Sequence, residues 1–250
     1  MKIIIKDLEF FLKKIFFSQS YLLRKRLIRA INKNYEKELS LIDRFANKSK
    51  DALDIGVYRG VYSFKLSKSF KKVHAFEPNP LLFPYLNKNL KKIINNIDLY
   101  NLALSDKQGD TELKLPKRAK SIFKDNIEEL YQLGAASIHP QKDFKEFKKV
   151  QVNKNKLDNI PIKNDIGFIK IDVEGHELEV INGAIETIKR NKPILLIEIE
   201  RRHSKRSVED TINHINNLGY KSFFVKNENL ISTENLSDKN LENNFFFLPN

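Results

Sequence analysis

Gly167-Phe-Ile-Lys-Ile-Asp-Val-Glu-Gly-His-Glu177 is a short apolar run, broken once by Lys170, that opens into Asp172, Glu174, His176 and Glu177. An apolar run of this length suits a strand buried on both faces of a sheet. Gly175 turns the chain, so the pattern delivers several ionisable side chains to the end of a buried strand. A second signal of this kind lies upstream. Asp51-Ala-Leu-Asp-Ile-Gly-Val-Tyr-Arg-Gly60 joins an apolar strand to a glycine turn, and Val73-His-Ala-Phe-Glu-Pro-Asn-Pro80 follows with Glu77 at the end of the next strand. A strand, a glycine turn and then an acid at the next strand's end is the arrangement that binds a nucleoside with a free ribose.

Around these two stretches the pattern alternates. Strands are expected at Ala52–Ile55, Lys72–Phe76, Ile97–Ala103, Asp110–Leu115, Val150–Asn153, Phe168–Val173 and Pro193–Glu200. Helices are expected at Val61–Ser69, Leu81–Ile94, His176–Asn191 and Val208–Leu218, with Gly219 ending the last. Tyr220–Val225 and Asn244–Leu248 read as final strands separated by a polar, Asn-rich surface loop. Residues 117–147 lack a period and carry many charges, so the stretch at about 117–150 reads as an insertion over the active site. Alternating strands and helices predict an α/β, Rossmann-like fold: a mostly parallel sheet with helices on both faces, whose ligands bind outside the carboxyl ends of the strands. The polar clusters fall at those ends.

The 250 residues accommodate one such domain, taken as 48–250, with an appended arm at 1–47. Glu36–Ala46 within the arm reads as a helix. The arm holds most of the charge asymmetry: residues 1–50 carry 13 Lys and Arg against 5 Asp and Glu, a net of +8 within a whole-chain net of +13. Its FFLKKIFF and YLLRKRLIRAI segments interleave apolar and basic residues at helical spacing. Such a helix packs on the core or on a second copy of the chain, which makes a homo-oligomer one expectation; the other is peripheral contact with an anionic membrane surface. Nucleic acid is not expected as a partner. Lys, Asn and Ile are abundant throughout, as in an AT-rich genome, and no nucleic-acid motif accompanies the charge. The chain has no cysteine, hence no disulfide or thiolate metal site. Asp7 and Glu9 interrupt the apolar N-terminus, and the expected location is the cytoplasm, with membrane-peripheral placement as the second reading.

The glycines of Asp54-Ile-Gly56-Val-Tyr58-Arg-Gly60 match neither a dinucleotide fingerprint nor a phosphate loop, so the weight rests on Glu77, whose carboxylate can accept both ribose hydroxyls. Asn101–Asp106 at the end of the third strand would flank the base. With DALDIGVYRGVYS, HAFEPNP, NLALSDKQGD, KLDNI, IKIDVEGHELEVINGA, LLIEIE and the terminal NFFFLPN in this order, the chain resembles the FkbM family of S-adenosylmethionine-dependent methyltransferases over roughly residues 48–200. The resemblance implies a class I methyltransferase fold with a seven-stranded sheet and an antiparallel last strand, S-adenosylmethionine as cofactor, and methyl transfer to oxygen, often on a sugar or natural product. Cofactor-binding candidates are Asp54, Gly56, Tyr58, Gly60, Glu77, Pro78, Asn79, Ala103, Leu104 and Asp172. Val57-Tyr58 departs from the Ala-Asn common in the family, and places a ring where the methionine end would lie.

Methyl transfer from a sulfonium is an in-line displacement that needs a positioned oxygen and a proton acceptor. Asp172, His176 and Glu174 are the catalytic candidates. His176 has the intrinsic pKa of a base and sits at a helix start, where the dipole disfavours its charged form. Glu198 and Glu200 alternate to one side of their strand. With Asp172 and Glu174 they compose either an all-oxygen Mg²⁺ site or a metal-free carboxylate cluster that orders substrate hydroxyls. Ser137 and His139 lie in the insertion, over the acceptor or in a surface turn. Arg201, Arg202 and His203 hold an anionic group of the substrate or are solvated. The leading expectation is O-methylation of a sugar, glycan or related polyhydroxylated small molecule. The alternatives are an N- or protein methyltransferase, and a non-catalytic cofactor-fold partner subunit, against which an intact Asp54, Glu77 and Asp172 argue.

Overall fold

The computed structural model describes residues 17–116, 147–199, 207–236 and 242–250. Ser18 caps α1 (Gln19–Asn32) by accepting the Tyr21 N–H. The strands are β1 (Asp51–Ile55), β2 (Val73–Phe76), β3 (Ile97–Tyr100), β4 (Ala103–Leu104), β5 (Gly109–Pro116), β6 (Phe147–Asn155), β7 (Ile166–Ile171), β8 (Ile194–Glu198), β9 (Tyr220–Lys226), β10 (Asn229–Ser232) and β11 (Asn244–Pro249). The further helices are α2 (Val61–Ser69), α3 (Phe83–Leu90), α4 (Glu177–Asn182), α5 (Ile185–Asn191) and α6 (Val208–Asn216).

The main sheet runs β10-β9-β11-β8-β7-β1-β2-β3. Strands β3, β2, β1, β7 and β8 are parallel, whereas β11 lies antiparallel between β8 and β9. The chain moves outward from β1 through β2 to β3, then returns to place β7 on the other side of β1. The crevice where the order reverses is the usual ligand position of such sheets. All of β1 is buried, as an interior parallel strand requires. Alternation sends Ala52, Phe168 and Phe246 to one face, under α1, α2 and α3, and Leu53, Ile169, Ile171, Phe245 and Phe247 to the other, under α4, α5 and α6. Phe168 meets Phe70 at 5.7 Å between ring centroids. A smaller sheet, β4-β6-β5, flanks the main one.

The expected fold class holds, with several local differences. Among the described residues the sheet has eight strands rather than seven, because β10 folds back on β9 through Asn227 and Glu228, both at positive φ. Two such residues make the tight turn that matches hairpin twist, so part of the expected Asn-rich loop is a hairpin. The long third strand divides into β3 and β4. Asn101 Nδ2 donates to the carbonyls of Glu77 and Pro78, and the chain leaves the sheet there. Glu36–Ala46 forms two tight 3-10 turns, Lys37–Ser40 and Ile42–Phe45, not one α-helix, and these turn Leu39, Leu41 and Ile42 all inward. The helix expected over His176–Asn191 breaks between α4 and α5. A Cβ on Gly183 would lie 1.9 Å from the Ser105 carbonyl oxygen, and the Asp158 carboxylate caps α5 by accepting the Glu186 and Thr187 N–H groups. Asp158 belongs to the KLDNI stretch, so its part in this fold is a helix cap.

Leu23 and Leu27 of α1 are fully buried in the same core as Leu41, Phe70 and Phe168, and α1 packs on α2 and α3. Its outer side carries Tyr21 and Ile28 among Arg24, Lys25 and Arg29, and Phe17 is exposed just before its cap. Leu27→Ala is expected to lower the unfolding free energy by about 2–5 kcal/mol in denaturant titration, as for other buried leucines. A loss below about 1 kcal/mol would show that α1 is an appendage that the domain does without.

Candidate functional site

A cavity of about 460 Å³ opens at the carboxyl ends of β1, β2, β7 and β8. The turn after β1 supplies Gly56 and Tyr58 to its wall. Gly56 takes φ +89, and a Cβ there would lie 1.8 Å from the Asp172 carbonyl oxygen. The loops after β1 and β7 therefore touch backbone to backbone, and the Asp172 N–H donates to the Ile55 carbonyl at 2.9 Å. Only glycine fits this position.

Glu77 is held from both sides. One carboxylate oxygen accepts the Tyr58 N–H at 3.0 Å and the other accepts the Asn79 N–H at 2.9 Å. Tyr58 adopts φ +48, and the Glu77 carboxylate at its N–H holds this uncommon backbone conformation. Burial pushes the Glu77 carboxyl up to about 7, against those two backbone bonds. Each oxygen keeps further acceptor capacity toward the cavity. Beside Glu77, Pro78, Leu102, Ala103, Leu104 and Leu113 form an apolar wall.

The turn after β7 is tight. Glu174 and Gly175 take φ +55 and +97, and the Glu177 carboxylate folds back to accept the Gly175 N–H at 2.8 Å. Glu177 is buried, and burial pushes its carboxyl up to about 7. His176 is buried as well. Its Nε2 lies 3.0 Å from Ser105 Oγ, and Ser105 Oγ donates to Asp106 at 3.2 Å. That hydroxyl directs its proton to Asp106, which leaves its oxygen to accept from His176 Nε2. Its Nδ1 is 3.6 Å from Glu179. One face of the ring system thus ties the turn to the segment after β4.

Opposite, an ammonium lies beneath the cavity floor. Lys170 is 1% exposed within β7. Its Nζ sits 3.8 Å from Asp172, donates to Asn244 Oδ1 at 3.3 Å and to the Ile171 carbonyl at 3.4 Å, and stands 5.0 Å from the Tyr62 ring centre. Burial works to lower its pKa, but attraction by Asp172, then Glu198, Glu36 and Asp54, prevails and holds it above the ordinary lysine value. Asp172, Glu174, Glu198, Glu36 and Asn244 line this end.

The candidate residues divide into wall and support. Gly56, Tyr58, Glu77, Pro78, Ala103, Leu104, Asp172, Glu174, His176 and Glu198 line the cavity. Asp54, Gly60 and Asn79, expected as cofactor contacts, instead build the loops behind it. Asp54 is buried and accepts Ser63 Oγ in the first turn of α2 at 2.5 Å; Gly60 is the N-cap of α2 at φ +79. Asn79 is fully buried, and its side chain accepts the Leu81 N–H. Burial pushes Asp54 up to about 7. Tyr58 contributes a backbone N–H, while its ring lies under the Arg59 guanidinium at 4.8 Å. Among the described residues no group of three or more His, Cys, Asp or Glu side chains is placed to hold a metal ion. The Mg²⁺ site drawn from Asp172, Glu174, Glu198 and Glu200 finds no support among the described residues, where Asp172 lies 3.8 Å from the Lys170 ammonium. Glu200, Ser137, His139, Arg201, Arg202 and His203 lie outside the described residues. Sequence reasoning assigned no role to Lys170, Glu36 or Asn244, and named Ser105 and Glu177 only within their segments. Lys170 had a signal, a charge inside an apolar strand; Glu36 and Asn244 had none.

A sequence model of the methyltransferase FkbM domain matches residues 54–222 of the chain. The crystal structure of methyltransferase FkbM from Methylobacillus flagellatus KT superposes with a TM-score of 0.51 at 16% identity, over 80% of this chain and 43% of that one. The chain thus spans less than half the length of that protein. A TehB-like SAM-dependent methyltransferase from Corynebacterium glutamicum gives a TM-score of 0.45 at 14% identity, over 92% of this chain and 96% of that one.

Two outcomes are expected from this geometry. Gly56→Ala should yield a protein that is unfolded or grossly destabilised in a thermal melt, and a near-normal melting temperature would contradict the close loop contact. Glu177 has a folded pKa of about 7 against an ordinary 4.5. The folded state therefore binds more protons between those values, and this group's contribution is full below about 4.5 and lost as pH rises through 7. Between pH 5 and 8, Glu177→Gln should lose about 1–3 kcal/mol less stability than the wild type. Equal losses would contradict the burial of its carboxyl.

Proposed function

This chain belongs to the methyltransferase FkbM domain family, and from that premise we propose that it transfers a methyl group to a hydroxyl of a sugar, glycan or related polyhydroxylated small acceptor. The family and the fold make it an S-adenosylmethionine-dependent methyltransferase domain. The observation that carries the finer reading is the division of the cavity. One end offers a fixed carboxylate beside an apolar wall, and the other offers Asp172, Glu174, Glu198 and Glu36 together.

The residues present fit the cofactor. Glu77 keeps acceptor capacity for a pair of ribose hydroxyls, Leu104 and Leu113 supply apolar surface for the base, and Gly56 lets the chain approach closely. Asp172, half-exposed at the end of β7, provides negative charge for the amino-acid end. When bound, S-adenosylmethionine supplies an electrophilic methyl on a sulfonium. The chain's task is to present an oxygen in line with that methyl and take its proton.

Asp172 is the proton acceptor in this reading, because it ends β7 on the cavity wall with its side chain partly exposed. His176 orients instead: its Nε2 is engaged with buried Ser105, which fixes the turn that carries Glu174. Glu36, Glu174 and Glu198 line the cavity with Asp172, and their carboxylates can accept from several hydroxyls of one molecule, which favours a polyol over an isolated alcohol.

Calorimetric titration should show S-adenosylmethionine binding to the wild type and a loss of about 10–100-fold in Glu77→Ala, the usual effect of deleting a charged hydrogen-bond acceptor. Asp172→Ala should keep cofactor binding within about tenfold yet abolish S-adenosylhomocysteine release with a responsive sugar or nucleotide-sugar. Methylation confined to amines or peptides, or full turnover by Asp172→Ala, would contradict the assignment.

A further inference from the structure

Lys170 occupies an interior position of β7 whose neighbours are Phe168, Ile169 and Ile171. A methionine or leucine there would pack on Tyr62 without any electrostatic cost, whereas a buried ammonium is tolerated only when paired. Its partners converge from separate parts of the chain. Asp54 comes from β1 and lies opposite Lys170 in strand register. Tyr62 comes from α2, Glu36 and Glu38 from the segment after α1, Glu198 from β8 and Asn244 from β11. Asp172 closes the set two residues along. Glu77 and Glu177 in turn feel the Asp172 charge. Glu36, Asp172, Glu198 and Asn244 present their other side to the cavity. One cation therefore stands behind a wall of carboxylates that would otherwise repel one another.

We propose that Lys170 is a positioning residue for methyl transfer: its buried ammonium, 3.8 Å from Asp172, fixes that carboxylate on the cavity wall, so that a cationic cofactor and an acceptor hydroxyl both meet it in place. The role rests on the methyltransferase reading of the cavity. Without the ammonium, Asp172 loses the buried partner that orients it, and attraction for the cofactor's sulfonium and amine falls. The Asn244 contact adds direction, because it joins the ammonium to β11 at the cavity rim.

The test is calorimetric binding of S-adenosylmethionine by the wild type, Lys170→Met, Lys170→Gln and Lys170→Arg, each checked for folding by circular dichroism. Lys170→Gln retains a hydrogen-bond donor and serves where Lys170→Met does not fold. The neutral variants should bind about tenfold or more weakly, and Lys170→Arg should restore most of the affinity. A folded neutral variant with wild-type affinity, or a folded Lys170→Arg that binds no tighter than the neutral variants, overturns the role of Lys170 alone. A folded wild type that binds no S-adenosylmethionine overturns the reading of the cavity and the proposal with it.

Discussion

The cost of burying one ammonium organises the carboxyl edge of this sheet. Lys170 lies inside a strand that is otherwise apolar, and a buried charge persists only where partners surround it. Asp54, Asp172, Glu198, Glu36 and Asn244 answer that requirement from five places in the chain. The consequence reaches beyond the pair distances. The segment after α1 and the last strand are both drawn to the site, so the ends of the sequence meet its most motif-rich middle. The same groups that offset the lysine charge inside supply the wall of the cavity outside.

The two ends of the cavity are built by different physics. At the Glu77 end the backbone does the positioning. Two main-chain N–H groups hold the carboxylate, Tyr58 keeps a left-handed conformation to offer one of them, and Gly56 brings two loops into contact. Such a site is set before ligand arrives, which limits what binding must order. At the Asp172 end side chains from five elements do the work, and their geometry depends on charge balance. The family match covers Glu77, Asp172, Glu174 and Glu198 but neither Glu36 nor Asn244.

The parts legible in the sequence are those whose cause is local. An apolar run ending in acids, a glycine turn and an acid at the end of the next strand placed Glu77, Asp172, Glu174 and His176 on one wall, because alternating strands and helices put strand ends side by side. What the sequence hid is set by distance. Asn244 reaches Lys170 across 74 residues, and Glu36 arrives through turns whose helical periodicity was misleading. The break at Gly183 is invisible in the apolar spacing of 176–191, since it arises from a carbonyl of Ser105 far upstream. Asp54 and Asn79 carried the right residue types at the right strand ends, yet helix capping and turn closure took their side chains inward. Short polar residues satisfy backbone groups as readily as they meet ligands, and only packing decides which.

The most direct measurement is a crystal structure of the protein grown with S-adenosylhomocysteine. The account predicts the ribose hydroxyls on the Glu77 carboxylate, with its two backbone N–H bonds intact, and the amino-acid end beside Asp172 above Lys170. A ligand bound elsewhere, or one in this cavity that leaves Glu77 with its backbone partners alone, would contradict it.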